Sequence, residues 1–230
     1  MSRASSPDRS PSARPILTPY RWSLLVGFCL ALAWGVYRPL ATPLDLGLHH
    51  VPTLGFVIWL VVRARRHTWD DLSYTAFFIF LLLHIVGAKY LYSNVPYDRW
   101  SESCFGSTIS QWFGWKRNHY DRLVHFLFGV LFFHPATQVF RQRLPGVRAR
   151  TIDLLSIQLI VVAGTIYELL EWGVAVGMAP DTADHYNGQQ GDIWDAQRDM
   201  ALALAGALIA AVLAAIGRLR HSAPSRERAT

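Results

Sequence analysis

Charge is what this sequence has least of. Only 17% of its 230 residues are Asp, Glu, Lys or Arg, while 52% are apolar. A soluble domain carries closer to about a quarter charged residues. Cysteine is nearly absent too. Cys29 falls within an apolar run and Cys104 in a polar connection, at different depths, so no disulfide between them is expected and neither has a metal-type spacing. The chain also lacks a nucleotide loop, a nucleophile elbow and any known cofactor signature. No internal repeat stands out. These gaps exclude a disulfide scaffold and the common nucleotide-dependent enzymes.

What is present is a series of long apolar runs separated by short segments crowded with arginine. The net charge of +6 comes from arginines that flank those runs, which marks them as topology signals and contacts to anionic lipid headgroups, with no nucleic-acid partner. Six spans are expected, at 20–37, 43–62, 72–95, 120–139, 152–177 and 195–217. Residues 51–62 alone are too short for a spanning helix of about 20 residues. Starting at Pro43 supplies the length, with a kink expected at Pro52. The Ser-, Pro- and Arg-rich stretch 1–19 reads as a disordered tail, and 218–230 as a basic polar tail. The fold class is all-α, a polytopic bundle of six transmembrane helices. Ala31-Leu32-Ala33 also resembles a signal-peptide cleavage site, and removing that segment would leave five spans.

Alternate connections carry the arginines. The N-terminal tail, the 63–66 and 141–150 connections and the C-terminal tail together hold fifteen, while the opposite connections hold only Arg38, Arg99, Lys116 and Arg117. The positive-inside rule then places both termini in the cytoplasm. The connection 96–119 is rich in Trp, Tyr and Phe, which predicts an element lying in the membrane interface. Ala203, Ala207, Ala211 and Ala215, four apart, allow close helix approach and predict that the last span lies inside the bundle.

An ionisable group inside a bilayer needs a partner or a task. Asn118 with Asp121, Asp192 with Asp195, and Thr42 with Asp45 each match an N-cap followed by an acidic third position. Others lie deeper. His125 and Asp199 are each seven residues past their caps, roughly 10 Å along a helix, and Glu171 and Glu168 lie roughly 9 and 13 Å from the end of the fifth span. His84 falls at a comparable depth on the third. Four helices thus bring ionisable groups to one layer in the outer half of the membrane, whereas the inner half offers only His134. Asp121/His125, Glu168/Glu171 and Asp195/Asp199 are three or four apart, so each pair projects from one helix face. With Lys89, Arg122 and Arg198 counted against the five carboxylates, a net negative charge remains, which protons or a bound divalent cation would neutralise.

The residue pattern points to Asp121, His125, Glu168, Glu171 and Asp199 as acid/base groups. His125, Glu168, Glu171, Asp195 and Asp199 are candidate ligands of a divalent metal whose identity the spacing does not specify. Arg122, Arg198 and Lys89 are candidate anion-binding groups. Three readings fit: a pocket acting on a lipid headgroup or envelope amphiphile, with or without metal-assisted hydrolysis; an ion- or proton-coupled transporter; and a non-catalytic accessory protein. The lipid bilayer is the partner common to all three.

The stretches Asn118-His119-Tyr120-Asp121-Arg122-Leu123-Val124-His125-Phe126, Tyr167-Glu168-Leu169-Leu170-Glu171-Trp172 and Gln190-Gly191-Asp192-Ile193-Trp194-Asp195-Ala196-Gln197-Arg198-Asp199-Met200 resemble the YjdF family of bacterial inner-membrane proteins over roughly residues 20–217. That resemblance implies an inner-membrane location and a multi-pass topology but no reaction. More distantly, Asp121-Arg122, His125-Phe126, Tyr167-Glu168 and Asp195 are similar to the pattern of VanZ-like membrane proteins, which are associated with glycopeptide tolerance. Asp199 stands where those proteins usually carry Asn, and Glu171 where they carry Gln, so this chain is the more acidic.

Overall fold

The computed structural model describes residues 17–64, 69–177 and 190–222. Most of the N-terminal tail expected to be disordered, and the end of the C-terminal tail, lie outside the described residues. Six long helices are apolar enough to cross a membrane: α1 (Pro19–Val36), α2 (Pro43–Ala64), α3 (Asp71–Lys89), α6 (Tyr120–Arg143), α7 (Ala149–Gly177) and α8 (Asp195–Ser222). Two short helices, α4 (Tyr97–Phe105) and α5 (Ile109–Phe113), form the aromatic connection. They expose Trp100, Phe105, Trp112 and Phe113.

Local chemistry sets the helix ends. Thr18 accepts from the Arg21 amide, with Pro19 opening α1. Asp45 accepts from the amide and hydroxyl of Thr42 at 2.9 and 2.7 Å, so the expected cap of α2 is present. Pro52 lies within α2, which continues from Pro43 to Ala64. Asp70 caps α3 by accepting from the Ser73 amide. Although buried in part, Asp70 is held below the usual carboxylate range by that amide and by His134, whose Nε2 lies 3.0 Å away.

Contacts between helix ends fix an antiparallel zigzag. Arg21 on α1 pairs with Asp71 on α3 at 2.8 Å. The Asp70 amide donates to Gln138 on α6, and Arg218 on α8 pairs with Asp153 on α7. Arg63, Arg141 and Arg148 share this arginine end by helix direction. The opposite end carries α4 and α5.

α6 is central, packed against α3, α7 and α8, while α1 and α2 flank α3. α6 and α8 meet backbone to backbone. A Cβ on Gly129 would stand 2.0 Å from the Ala203 carbonyl oxygen, and one on Gly206 would stand 2.1 Å from that of Phe126. Small residues therefore do permit close approach, but α8 is not surrounded. Ala203 and Ala207 are buried, whereas Leu204, Leu208, Val212 and Leu213 on its other face are exposed.

Two boundaries differ most from expectation. α3 stops at Lys89 rather than near residue 95, because Leu91 and Tyr92 turn into the left-handed region with φ of 53° and 51°. α8 runs to Ser222 rather than 217, with Arg218 held by Asp153 instead of released into a polar tail.

Candidate functional site

The α6–α8 crossing positions the buried cluster. His125 lies one turn from Gly129 on α6, and Asp199 one turn from Ala203 on α8, so both project into the joint where the backbones touch. One ligand atom each from Asp121, His125 and Asp199 falls within 4.8 Å of the others. Glu168, from α7, brings Oε1 to 3.4 Å from His125 Nε2, and Asp121 Oδ1 lies 3.7 Å from the same nitrogen. His125, Glu168 and Asp199 are buried. Glu168 Oε1 and Asp199 Oδ1 are both buried without a hydrogen-bond partner.

A second layer sits nearer the α4–α5 end. Asp192 accepts from the Trp194 amide at 3.1 Å through one oxygen and from Arg122 at 2.5 Å through the other. Arg117 and Arg198 join it on that second oxygen. Asp195 faces Arg117 at 2.9 Å and Arg122 at 3.5 Å. Despite some desolvation, the Trp194 amide and the three arginines keep Asp192 below the usual carboxylate range. His119 stacks on Trp115 with ring centroids 4.3 Å apart. Burial, then Arg122 and Arg117, depress its pKa below that of an ordinary histidine.

The two layers divide the charge. Three arginines pair directly with Asp192 and Asp195, whereas the ion pairs of Asp121 and Glu168 among the described residues are with His125. Glu171 is hydrogen-bonded to Tyr167. Arg117 and Arg122 act on Asp121, and Arg122 on Asp199, only from beyond contact distance. Four carboxylates in a low-dielectric site require counter-charge from protons or a cation. The donor set fits a borderline divalent ion, which binds imidazole and carboxylate at about 2.0–2.2 Å. Oxygens and a nitrogen already within 4.8 Å could close round one ion by small side-chain rotations.

Below this cluster opens a cavity of about 500 Å3. Its polar end carries His49, His84, Tyr92, Asp121, His125 and Glu171, and its body is formed by Phe56, Phe80, Phe128 and Phe132 among other apolar groups. α3 and α6 form its back; α2 and α7 flank it without being a packed pair.

Several expected roles are redistributed. Of the five candidate ligands, His125, Glu168 and Asp199 come together and Asp121 joins them. Asp195 instead faces the arginines, and Glu171 lines the cavity one turn from Tyr167. The Asn118 cap is different as well: its Oδ1 accepts from the Tyr120 amide and its Nδ2 donates to the Val95 carbonyl, so Asp121 is not part of a capping box. Asp192 likewise forms a short side-chain turn and not the expected box. Lys89 lies away from the cluster, where its ammonium donates to the carbonyls of Trp34 and Tyr37 at the end of α1. Arg198 binds Asp192 from an exposed position. His84 reaches the same cavity from α3, where it bonds Tyr92 and the His49 carbonyl and not the carboxylates.

Sequence reasoning passed over Arg117, His49, His50 and Tyr92. The His49-His50 pair preceding Pro52 was the available signal, since two adjacent histidines in an otherwise apolar helix need partners. Arg117 reads in the sequence only as a loop charge.

No solved structure matches the chain. It is 34% identical over 167 residues to the inner membrane protein YjdF of Escherichia coli strain K12, covering 71% of this chain and 74% of that protein. Residues 20–220 match the family described as predicted membrane protein DUF2238. With six apolar helices, and with a family match across nearly all of them, the chain is a multi-pass membrane protein of the DUF2238 family.

Proposed function

We propose that this protein sits in the inner membrane with both termini in the cytoplasm, and that its α4–α5 end opens outward as a divalent-cation-dependent site for the head of an envelope amphiphile. The alternation of arginine-rich and arginine-poor ends supports the orientation. Asp121, His125 and Asp199, with Glu168 alongside, hold the cation. The amphiphile's tail lies in the cavity among Phe56, Phe128 and Phe132, while Arg117 and Arg122 add positive potential behind the head.

One observation carries this reading: three ligand atoms from two helices converge within 4.8 Å at the polar end of an apolar cavity of about 500 Å3. A purely structural ion-pair core does not need a cavity beside it, nor buried carboxylate oxygens that accept no hydrogen bond.

The test is metal analysis of the purified protein with thermal unfolding before and after chelation. About one divalent ion per chain is expected, with stability lost on chelation and restored by the ion, as linkage requires. Asp199→Asn is expected to remove the ion. Metal-free wild-type protein that unfolds at the same temperature with and without added Zn, Mn or Fe would refute the cation site.

A further inference from the structure

The polar end of the cavity also holds a set of groups that the cation site does not use. His84 Nε2 lies 3.1 Å from the His49 carbonyl oxygen, and its Nδ1 lies 2.5 Å from the Tyr92 hydroxyl. A carbonyl can only accept, so Nε2 carries the proton and the neutral ring offers a lone pair at Nδ1. Tyr92 is therefore the donor to His84. The His49 carbonyl belongs to the turn preceding Pro52, which lacks the amide proton that would bond the Leu48 carbonyl, so this stretch of α2 is loosened. It also accepts from the Thr53 hydroxyl at 2.7 Å.

The backbone is shaped to hold Tyr92 in this place. Tyr92 and Leu91 both adopt left-handed φ values, of 51° and 53°, a conformation that residues with side chains rarely hold. The Tyr92 amide donates to the Gly87 carbonyl at 2.7 Å. Its ring lies against Gly87, where a Cβ would stand 2.5 Å from a ring carbon. Strain of this kind persists only where the surroundings enforce it, and here it delivers one hydroxyl to the cavity wall. A hydroxyl hydrogen-bonded to a base, with the base oriented by a third group, is how a weak nucleophile is activated.

We propose that Tyr92 is a nucleophile toward a carboxylic ester of an amphiphile, with His84 as its base and the His49 carbonyl fixing the His84 tautomer. This rests on the reading that the cavity takes an amphiphile. Tyr92 Oη forms a bond to the ester carbonyl carbon as its proton passes to His84 Nδ1. The bond to the leaving alcohol then breaks, and the alcohol oxygen takes that proton. Water reverses the sequence: it gives a proton to His84, cleaves the tyrosyl ester and releases the acid, with Tyr92 restored.

Hexadecanesulfonyl fluoride probes this arrangement directly. An activated tyrosine oxygen forms an O–S bond, the S–F bond breaks, and fluoride leaves while the phenolic proton passes to the base. The full-length protein in detergent is treated with the probe, and adducts are mapped by peptide mass spectrometry. A single fast adduct on Tyr92 is expected, ahead of exposed tyrosines such as Tyr37. Removing a general base typically costs about a hundredfold or more, so His84→Gln is expected to slow the adduct by that factor at near-wild-type stability. Tyr92→Phe is expected to leave no fast adduct.

Should His84→Gln fail to fold, Gly87→Ala decides, because displacing the ring is expected to slow the adduct comparably. First reaction at exposed tyrosines, or an unchanged Tyr92 rate in a folded variant, would overturn the proposal. Phenylmethanesulfonyl fluoride, which has no chain, separates the two readings. If it labels Tyr92 as quickly as the hexadecyl probe, the nucleophile stands and the amphiphile reading falls.

Discussion

Gly129→Ala is the sharpest perturbation the fold offers. The added methyl would stand 2.0 Å from the Ala203 carbonyl oxygen and 2.8 Å from the Ala207 amide nitrogen. Carbon and oxygen approach one another to about 3.3 Å even in close Cα–H···O contacts, so the α6 and α8 backbones must part by about 1.3 Å. No flexible side chain can yield instead, because both obstacles are main chain. Overpacking of this kind typically costs about 1–3 kcal/mol, and the upper end applies here. For a chain of this size that corresponds to about 6–12 °C in unfolding temperature.

The same displacement acts on the site. Asp199 and His125 lie one turn from the contact, and their ligand atoms now fall within 4.8 Å. Two ligands at about 2.1 Å from one ion can be at most about 4.2 Å apart, so a further ångström of separation prevents both from binding it. Thermal unfolding in detergent and metal stoichiometry are the assays. Gly173→Ala is the control: nothing lies within 4 Å of its added Cβ, and alanine in a helix is favoured over glycine by about 1 kcal/mol. A Gly129→Ala protein that matches Gly173→Ala in both measurements would refute the account of the α6–α8 joint.

Other perturbations address the supports. Lys89→Met removes the buried ammonium that joins α3 to the carbonyls ending α1, and an unfolding temperature lowered by the equivalent of about 1–3 kcal/mol is expected; an unchanged value would show that those carbonyls are satisfied without it. Asp192 titrates below the usual carboxylate range, so it contributes stability above about pH 4 that is lost as pH falls through its depressed pKa. Asp192→Asn is therefore expected to flatten the acid limb of a stability–pH curve while lowering the plateau. His119 prefers its neutral form in the fold, so its protonation on acidification past its ordinary pKa near 6.5 is expected to destabilise. His119→Gln should remove the loss of stability that sets in as pH falls below about 6.5, read by unfolding temperature against pH.

Much of the frame was legible in particular residues. Thr42 and Asp45 announced the start of α2, and Asp121 with His125, and Glu168 three residues before Glu171, announced two polar helix faces. The aromatic connection announced an irregular element. The errors share a cause. Lys89 was counted with the acidic layer because depth along one helix is local information, whereas the direction a side chain takes round the helix depends on its neighbours. Asp195 and Asp199 sit one turn apart with the same spacing rule, yet one meets arginines and the other a histidine. The difference of about 6 Å along α8 places them in separate layers, one level with Arg117 and the other with His125.

Hydropathy, arginine placement and the helical rise are properties of short segments. The sequence by itself therefore determined six spans, their alternating direction, and the fact that ionisable groups crowd one end. It could not decide which of them share a space. That depended on Gly129 and Gly206 letting two backbones touch, so that Asp199 and His125 meet across the joint. It depended also on a left-handed turn after Lys89, which no hydrophobic period signals, and which returns Tyr92 to His84. The first is a product of packing between distant segments, and the second of a backbone turn closed on Gly87, so neither can be read from a segment's composition or period.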